Sequence, residues 1–182
     1  MTINKNIKSI ILIIFLFLIT NCSNNSAMKP EDFKNKEPRL IIENYLSGNV
    51  KAWGVLQNRS GKVTRQFSAD LNGKWDGKQL ILDEKFNWDD GEIQNRQWKI
   101  NKIDEHNYEG TAGDVVGKAK GFSYGPAFKF EYVLLVPVKG KEMKITFDDW
   151  IFKQDDRVAI NRATMTKFGF KVAELTVVFV KD

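Results

Sequence analysis

From Val50 to the C-terminus, runs rich in Val, Ile, Phe, Trp and Thr alternate with polar residues, and turn-forming sequences break them about every ten residues. The breaks fall at Asn58-Arg59-Ser60-Gly61, Asp76-Gly77, Asp89-Asp90-Gly91, Asp104 to His106, Gly121 to Pro126, Gly140 and Asp155-Asp156. This punctuation leaves room for about nine or ten strands and for no helix long enough to make a parallel crossover, so neighbouring strands must run antiparallel through short hairpins. A meander of that length closes on itself to remove its edges. The expected fold is all-β, an antiparallel up-and-down barrel of about eight to ten strands spanning 38–182. Ahead of it, Leu40, Ile41, Tyr45 and Leu46 have helical spacing and Gly48 supplies a stop. One short helix is expected there, plugging or flanking one end of the sheet.

Turn chemistry predicts the register. Asp76-Gly77 as a two-residue loop pairs Trp75 with Lys78, and hence Leu71 with Leu82, Ala69 with Glu84, and Phe67 with Phe86. Asp89-Asp90-Gly91 as a three-residue loop pairs Trp88 with Glu92, Glu84 with Arg96, and Leu82 with Trp98. The two turns agree on one apolar face, and a slip of one residue would turn every side chain to the other side. If Asp104-Glu105-His106 is a third such loop, with His106 in the left-handed position, Arg96 also lies opposite Asp114.

The result is a predicted row of Ala69, Glu84, Arg96 and Asp114 across neighbouring strands on the apolar side. One reading is a carboxylate–guanidinium–carboxylate network, satisfied internally, that holds the register. The other is a cavity wall in which Glu84, Arg96 and Asp114 orient a polar head group while Trp88, Trp98, Phe67 and Phe86 contact its apolar part.

Phe147 to Phe170 is the most information-dense stretch. Met143, Ile145 and Phe147 share one face while Trp150 and Phe152 fall on the other, so a β-bulge at Asp148-Asp149 is expected to return all five to one side. In the next turn Arg157 stands where glycine would suit a left-handed residue, and must accept positive φ or force a different turn. Trp150 is expected to face Arg162, close enough for a cation–π pair worth about 0.5 to 2 kcal/mol.

The N-terminus has the layout of an export signal: Lys5 and Lys8, an apolar run from Ile10 to Ile19, then Thr20 and Asn21. That run is too short to span a bilayer, which takes about twenty residues. Cys22, the only cysteine, permits no intramolecular disulfide. Its position after the apolar run is that of a lipobox cysteine, with residues 1–21 the signal peptide and Cys22 the lipidated anchor. Residues 22–37 are polar and aperiodic and read as a flexible tether. The net charge of +5 falls when the two signal lysines leave. Basic residues are interspersed with acidic ones, so a nucleic-acid partner is not expected.

Several chemistries lack their residues. The glycine run from Gly110 to Gly125 lacks the spacing and hydroxyl of a P-loop. His106 is the only histidine and has no cysteine or histidine partner nearby, which leaves neither a zinc set nor a His-based triad. No catalytic residue, metal or cofactor is therefore expected. A transmembrane barrel would put Arg65, Glu84 and Arg96 mid-strand against lipid, where a basic residue costs roughly 2 to 4 kcal/mol at the midplane. The alternation favours a barrel with these groups inside.

The motifs Ala52-Trp53-Gly54 through Arg59-Ser60-Gly61-Lys62-Val63-Thr64-Arg65, Leu82-Asp83-Glu84 through Arg96 and Trp98, Gly110-Thr111-Ala112 through Gly121, Phe147-Asp148-Asp149-Trp150 and Ile160-Asn161-Arg162-Ala163 through Phe170 resemble the small proteobacterial lipoproteins known as domain of unknown function 3833. The chain departs from that pattern at Asn21, Val50 and Arg157. The resemblance implies a lipocalin-like lipoprotein of the envelope and carries no assigned activity. Ser23 after Cys22, rather than aspartate, resembles the pattern of lipoproteins that travel on to the outer membrane, which implies a domain facing the periplasm. Three functions follow as expectations: a carrier or sensor of a small hydrophobic or amphipathic ligand, a protein-interaction module without a cavity, and a hydrolase or isomerase housed in the barrel.

Overall fold

The computed structural model describes residues 27–138 and 140–182. The expected signal peptide, Cys22 and the first residues of the tether lie outside the described residues. Ten antiparallel strands close into one barrel: β1 (Gly48–Asn58), β2 (Val63–Trp75), β3 (Gln79–Trp88), β4 (Ile93–Lys102), β5 (Asn107–Thr111), β6 (Ala119–Tyr124), β7 (Ala127–Val138), β8 (Lys141–Lys153), β9 (Val158–Lys167) and β10 (Phe170–Lys181). Every neighbour in sequence is a neighbour in the sheet, and β1 closes on β10 from Val50↔Lys181 to Asn58↔Ala173.

The period-two pattern produces the two faces. On β2, Phe67, Ala69 and Leu71 are buried while Ser68, Asp70 and Asn72 face outward. The same alternation runs through β7, where Phe128, Phe130, Tyr132 and Leu134 point into the barrel.

One end is closed by the segment before β1. The short helix α1 (Ile42–Tyr45) tucks Ile42, Tyr45 and Leu46 into the core. Its buried Glu43 accepts hydrogen bonds from Lys102 Nζ (2.5 Å) and the Tyr108 hydroxyl (2.9 Å). Burial alone would raise that carboxyl, but Lys102, its own backbone and Tyr108 together hold it below the usual range. Lys181 Nζ donates to the carbonyls of Asn44, Tyr45 and Ser47 at the C-terminal end of the helix. Packing also begins earlier than Pro38: in the single turn Pro30–Phe33, the Phe33 ring lies 6.0 Å from Trp150 and 5.5 Å from Phe152, on the outside of the wall.

The register is as expected at the second turn and shifted at the first. Glu84↔Arg96 and Leu82↔Trp98 pair as predicted. Between β2 and β3, however, Trp75 pairs with Leu80, Ala69 with Phe86 and Phe67 with Trp88, two residues beyond the prediction. The reason is the Asp76 side chain, which accepts from the backbone N–H of Lys78 (2.8 Å) and Gln79 (2.7 Å) and draws four residues into the loop. Asp104 does the same for His106 and Asn107, and Asp155 for Arg157 and Val158. Neither His106 nor Arg157 therefore needs a left-handed backbone, and Phe168 is the non-glycine residue with positive φ among those described.

The expected bulge at Asp148-Asp149 is absent. The β7–β8 ladder runs unbroken from Ala127↔Phe152 to Val138↔Lys141. Asp149 therefore points inward beside Phe147 and Ile151, and Trp150 points outward, buried under Phe33. Trp150 does pair with Arg162 across the ladder. The cation over its ring is instead Lys129 from β7, at 5.3 Å, while Arg162 turns to Glu174 at 3.5 Å.

Gly73 lets the plug approach the wall: a Cβ there would lie 1.9 Å from the backbone carbonyl oxygen of Leu46, whereas one at Gly113 would meet nothing within 4 Å. Gly73→Ala is expected to cost about 2 kcal/mol or more, as overpacking against backbone does. Gly113→Ala should stay within about 0.5 kcal/mol of the parent. Urea unfolding of the two variants measures the difference.

Candidate functional site

Ten strands enclose more volume than their side chains fill, and the remainder is an interior cavity of about 270 Å3. Ile42 and Leu46 form its floor, and all six residues expected to contact a ligand line it: Phe67, Glu84, Trp88, Arg96, Trp98 and Asp114. Phe67 packs edge-on against Phe86 (5.2 Å) and Trp88 (4.9 Å), and Trp98 against Tyr132 (5.3 Å). Ala69, the fourth member of the predicted row, sits opposite Phe86 rather than Glu84, because of the longer Asp76 loop.

Asp114 reaches Arg96 by a route other than a strand. β5 and β6 have 5 and 6 residues, so the wall between β4 and β7 is short there. The chain between them folds back over the gap and pairs with β7: Leu135 N–H donates to Asp114 O (2.9 Å) and Val116 N–H to Val133 O (2.8 Å). This delivers the Asp114 carboxylate to Arg96, which donates from Nε (3.0 Å) and Nη2 (2.7 Å) to Oδ2. Arg96 Nη1 lies 3.8 Å from Glu84 Oε2, beyond hydrogen-bond reach, and that oxygen is buried without a partner.

A second polar cluster, not anticipated from the sequence, faces the first. Asp149 accepts from the Tyr132 hydroxyl (2.8 Å) and from Asn161 Nδ2, which also donates to the Trp150 carbonyl (3.0 Å). Strict alternation through β8 would have shown Asp149 as inward. The small inward neighbours Ala159 and Ala163 likewise mark Asn161 as an inward position with space around it.

Burial sets the protonation of this interior. It pushes the Glu84 carboxyl up to about 7; Arg96 and, more weakly, the Trp98 indole pull it back, while Asp149 and Asp114 add to the rise. Burial raises Asp149 to about 6 against the hydrogen bonds of Tyr132 and Asn161. At the open end Arg65 lies over the Trp88 ring (4.0 Å) and its Nη2 donates to Asp90 and Glu92, each at 2.8 Å. It forms part of the rim.

A family model described as a protein of unknown function (DUF3833) matches residues 16–181. The chain belongs to that family. A comparison with curated proteins finds no match. Among solved structures, the barrel is similar to an S-type phycobiliprotein lyase from Guillardia theta, with a TM-score of 0.58 at 9% identity, covering 77% of this chain and 90% of that one. It is also similar to a protein of unknown function of the DUF3598 family from Nostoc punctiforme, with a TM-score of 0.60 at 14% identity, covering 81% of this chain and 51% of that one. At these identities the likeness is one of fold, and the fold of this DUF3833 member is the lipocalin-like barrel.

The raised carboxyls make stability depend on pH with a definite sign. A group whose folded pKa exceeds its unfolded value favours folding below the unfolded value, and that contribution is lost as pH rises through the folded one. For Glu84, raised from 4.5 to about 7, the loss is on the order of 3 kcal/mol at about 1.4 kcal/mol per unit. Glu84→Gln removes it. The variant's Tm relative to the parent is expected to rise by several degrees between pH 5 and pH 8, read by circular dichroism melts; a constant difference would show that Glu84 takes up no proton on folding.

Proposed function

We propose that this protein binds a small amphipathic molecule inside its barrel and is held at a membrane by a lipidated Cys22. The observation that carries the binding reading is the cavity: aromatic walls on several strands converge on the polar corner formed by Glu84, Arg96 and Asp114. A site of this kind orients a head group with a few placed polar atoms and gains affinity by burying the apolar remainder. The plug closes the floor, so exchange takes place at the opposite end, past Arg65 and Trp88. In this reading the protein binds and does not catalyse.

The anchoring reading is supported by the leader-like pattern before Cys22, and places the domain in the periplasm on an outer-membrane anchor. Metabolic labelling with radioactive palmitate is expected to mark the parent chain and to leave Cys22→Ser unlabelled. Label on the Ser variant would remove the anchor from this proposal.

Binding is tested by native mass spectrometry of the purified chain, with analysis of its organic extract. A co-purifying molecule of small mass is expected with the parent. It should be lost from Ala52→Phe, which directs a ring into the cavity from between Ala69 and Phe179, the folding of the variant being checked by its melt. An interior that carries nothing and takes up nothing would refute the binding reading.

A further inference from the structure

We propose that the head group taken by this cavity is a hydrogen-bond donor, an amine or a hydroxyl, bound at Glu84 Oε2, and that carboxylate amphiphiles are rejected. This rests on the reading of the barrel as a binding protein and adds the ligand class to it.

The cations that line the cavity already face carboxylates. Arg96 directs Nε and Nη2 at Asp114, at 3.0 and 2.7 Å. Arg65, at the rim, donates from Nη2 to Asp90 and Glu92, and its Nε, buried without a partner, stays there beside the Trp88 ring. At the Glu84 corner an incoming carboxylate would therefore meet Arg96 Nη1 alone and not a free guanidinium fork, which is the usual basis for its recognition. It would also add to a corner that holds Glu84, Asp114 and Asp149 against one arginine, in a medium that screens like charges poorly.

At the same corner one acceptor is left over. Asp149 accepts from both Tyr132 and Asn161. Glu84 Oε2 is buried with no hydrogen-bond partner. Leaving such an acceptor unmade is costly, and a ligand that supplies the donor recovers the loss. A hydroxyl donating to Oε2 can also accept from Arg96 Nη1, which faces the same oxygen across 3.8 Å. An ammonium donates to Oε2 and offsets the surplus of carboxylates.

The size of the ligand follows from the volume. About 270 Å3 lies just under the roughly 300 to 1,000 Å3 of pockets that take drug-sized ligands, which suits a short amphiphile. Octylamine, octanol and octanoate match this length and differ in the head group alone.

The pH response follows from the groups around Glu84: Arg96 on β4, Asp114 on the segment after β5, Tyr132 on β7 and Asp149 on β8. Once Glu84 takes a proton, its carboxyl is no longer a charged acceptor, so amine binding should weaken as pH falls.

The test is titration of the purified chain with the three probes at pH 8, by calorimetry and by the fluorescence of Trp88 and Trp98. Octylamine and octanol are expected to bind, and octanoate at least tenfold more weakly. Octylamine should lose at least tenfold between pH 8 and pH 5, and at least tenfold in Glu84→Gln, whose folding is checked by its melt. Octanoate binding as tightly as octylamine would overturn the head-group assignment and leave the cavity reading standing. Absence of binding by all three probes would overturn the cavity reading itself, and the assignment with it.

Discussion

Barrel closure between β1 and β10 is the constraint from which the other features follow. About eight strands give an interior that side chains just fill or that holds one small ligand. Ten strands give a wider one. The excess is dealt with differently at the two ends. At one end the chain folds its own α1 segment into the opening and fastens it through Glu43, Lys102, Tyr108 and Lys181. Gly73 omits the side chain that would block the approach of Leu46. At the other end the aromatic residues meet one another but leave a space. The cavity is thus a geometric consequence of strand number, limited by a plug taken from the same chain.

The polar groups inside this space are arranged so that few of them stand alone. A buried ion pair is worth little against an apolar replacement, but removing one partner is expensive because it strands the other. Arg96 illustrates the arrangement. Its carboxylate partner comes from a segment that also closes the gap left by two short strands, so the electrostatic contact and the completion of the wall depend on each other. Asp149 is held in the same way by residues on β7 and β9. Glu84 has Arg96 at 3.8 Å and no hydrogen bond at Oε2, and burial leaves its carboxyl raised to about 7.

Much of this was legible in the sequence, and the misreadings have specific physical causes. Turn spacing showed the meander, and the Asp89-Asp90-Gly91 loop placed Glu84 opposite Arg96. The error at Asp76 displaced the pairing by two residues but kept every side chain on its correct face, because the strand repeat is itself two. Asp114 was expected opposite Arg96 and does meet it, although the contact is made by side chains beyond the end of the ladder. The bulge at Asp148-Asp149 was a misreading of Trp150. A large aromatic residue was taken to belong inside, whereas Phe33, more than a hundred positions away in the chain, covers it from outside. Alternation alone cannot report that cover, and so Asp149, with its partners Tyr132 and Asn161, went unrecognised.

The N-terminal segment has a directional consequence. It runs down the outer wall beside Trp150 and Phe152 before turning under the barrel as the plug. Strand β8 has 13 residues, which at about 3.3 Å each and a tilt near 40° span roughly 30 Å along the barrel axis. The turn that precedes the plug therefore meets the wall near the base, through Phe33 on Trp150 and Phe152, with most of that length between it and the mouth. The mouth lies at the opposite end of the barrel from that segment.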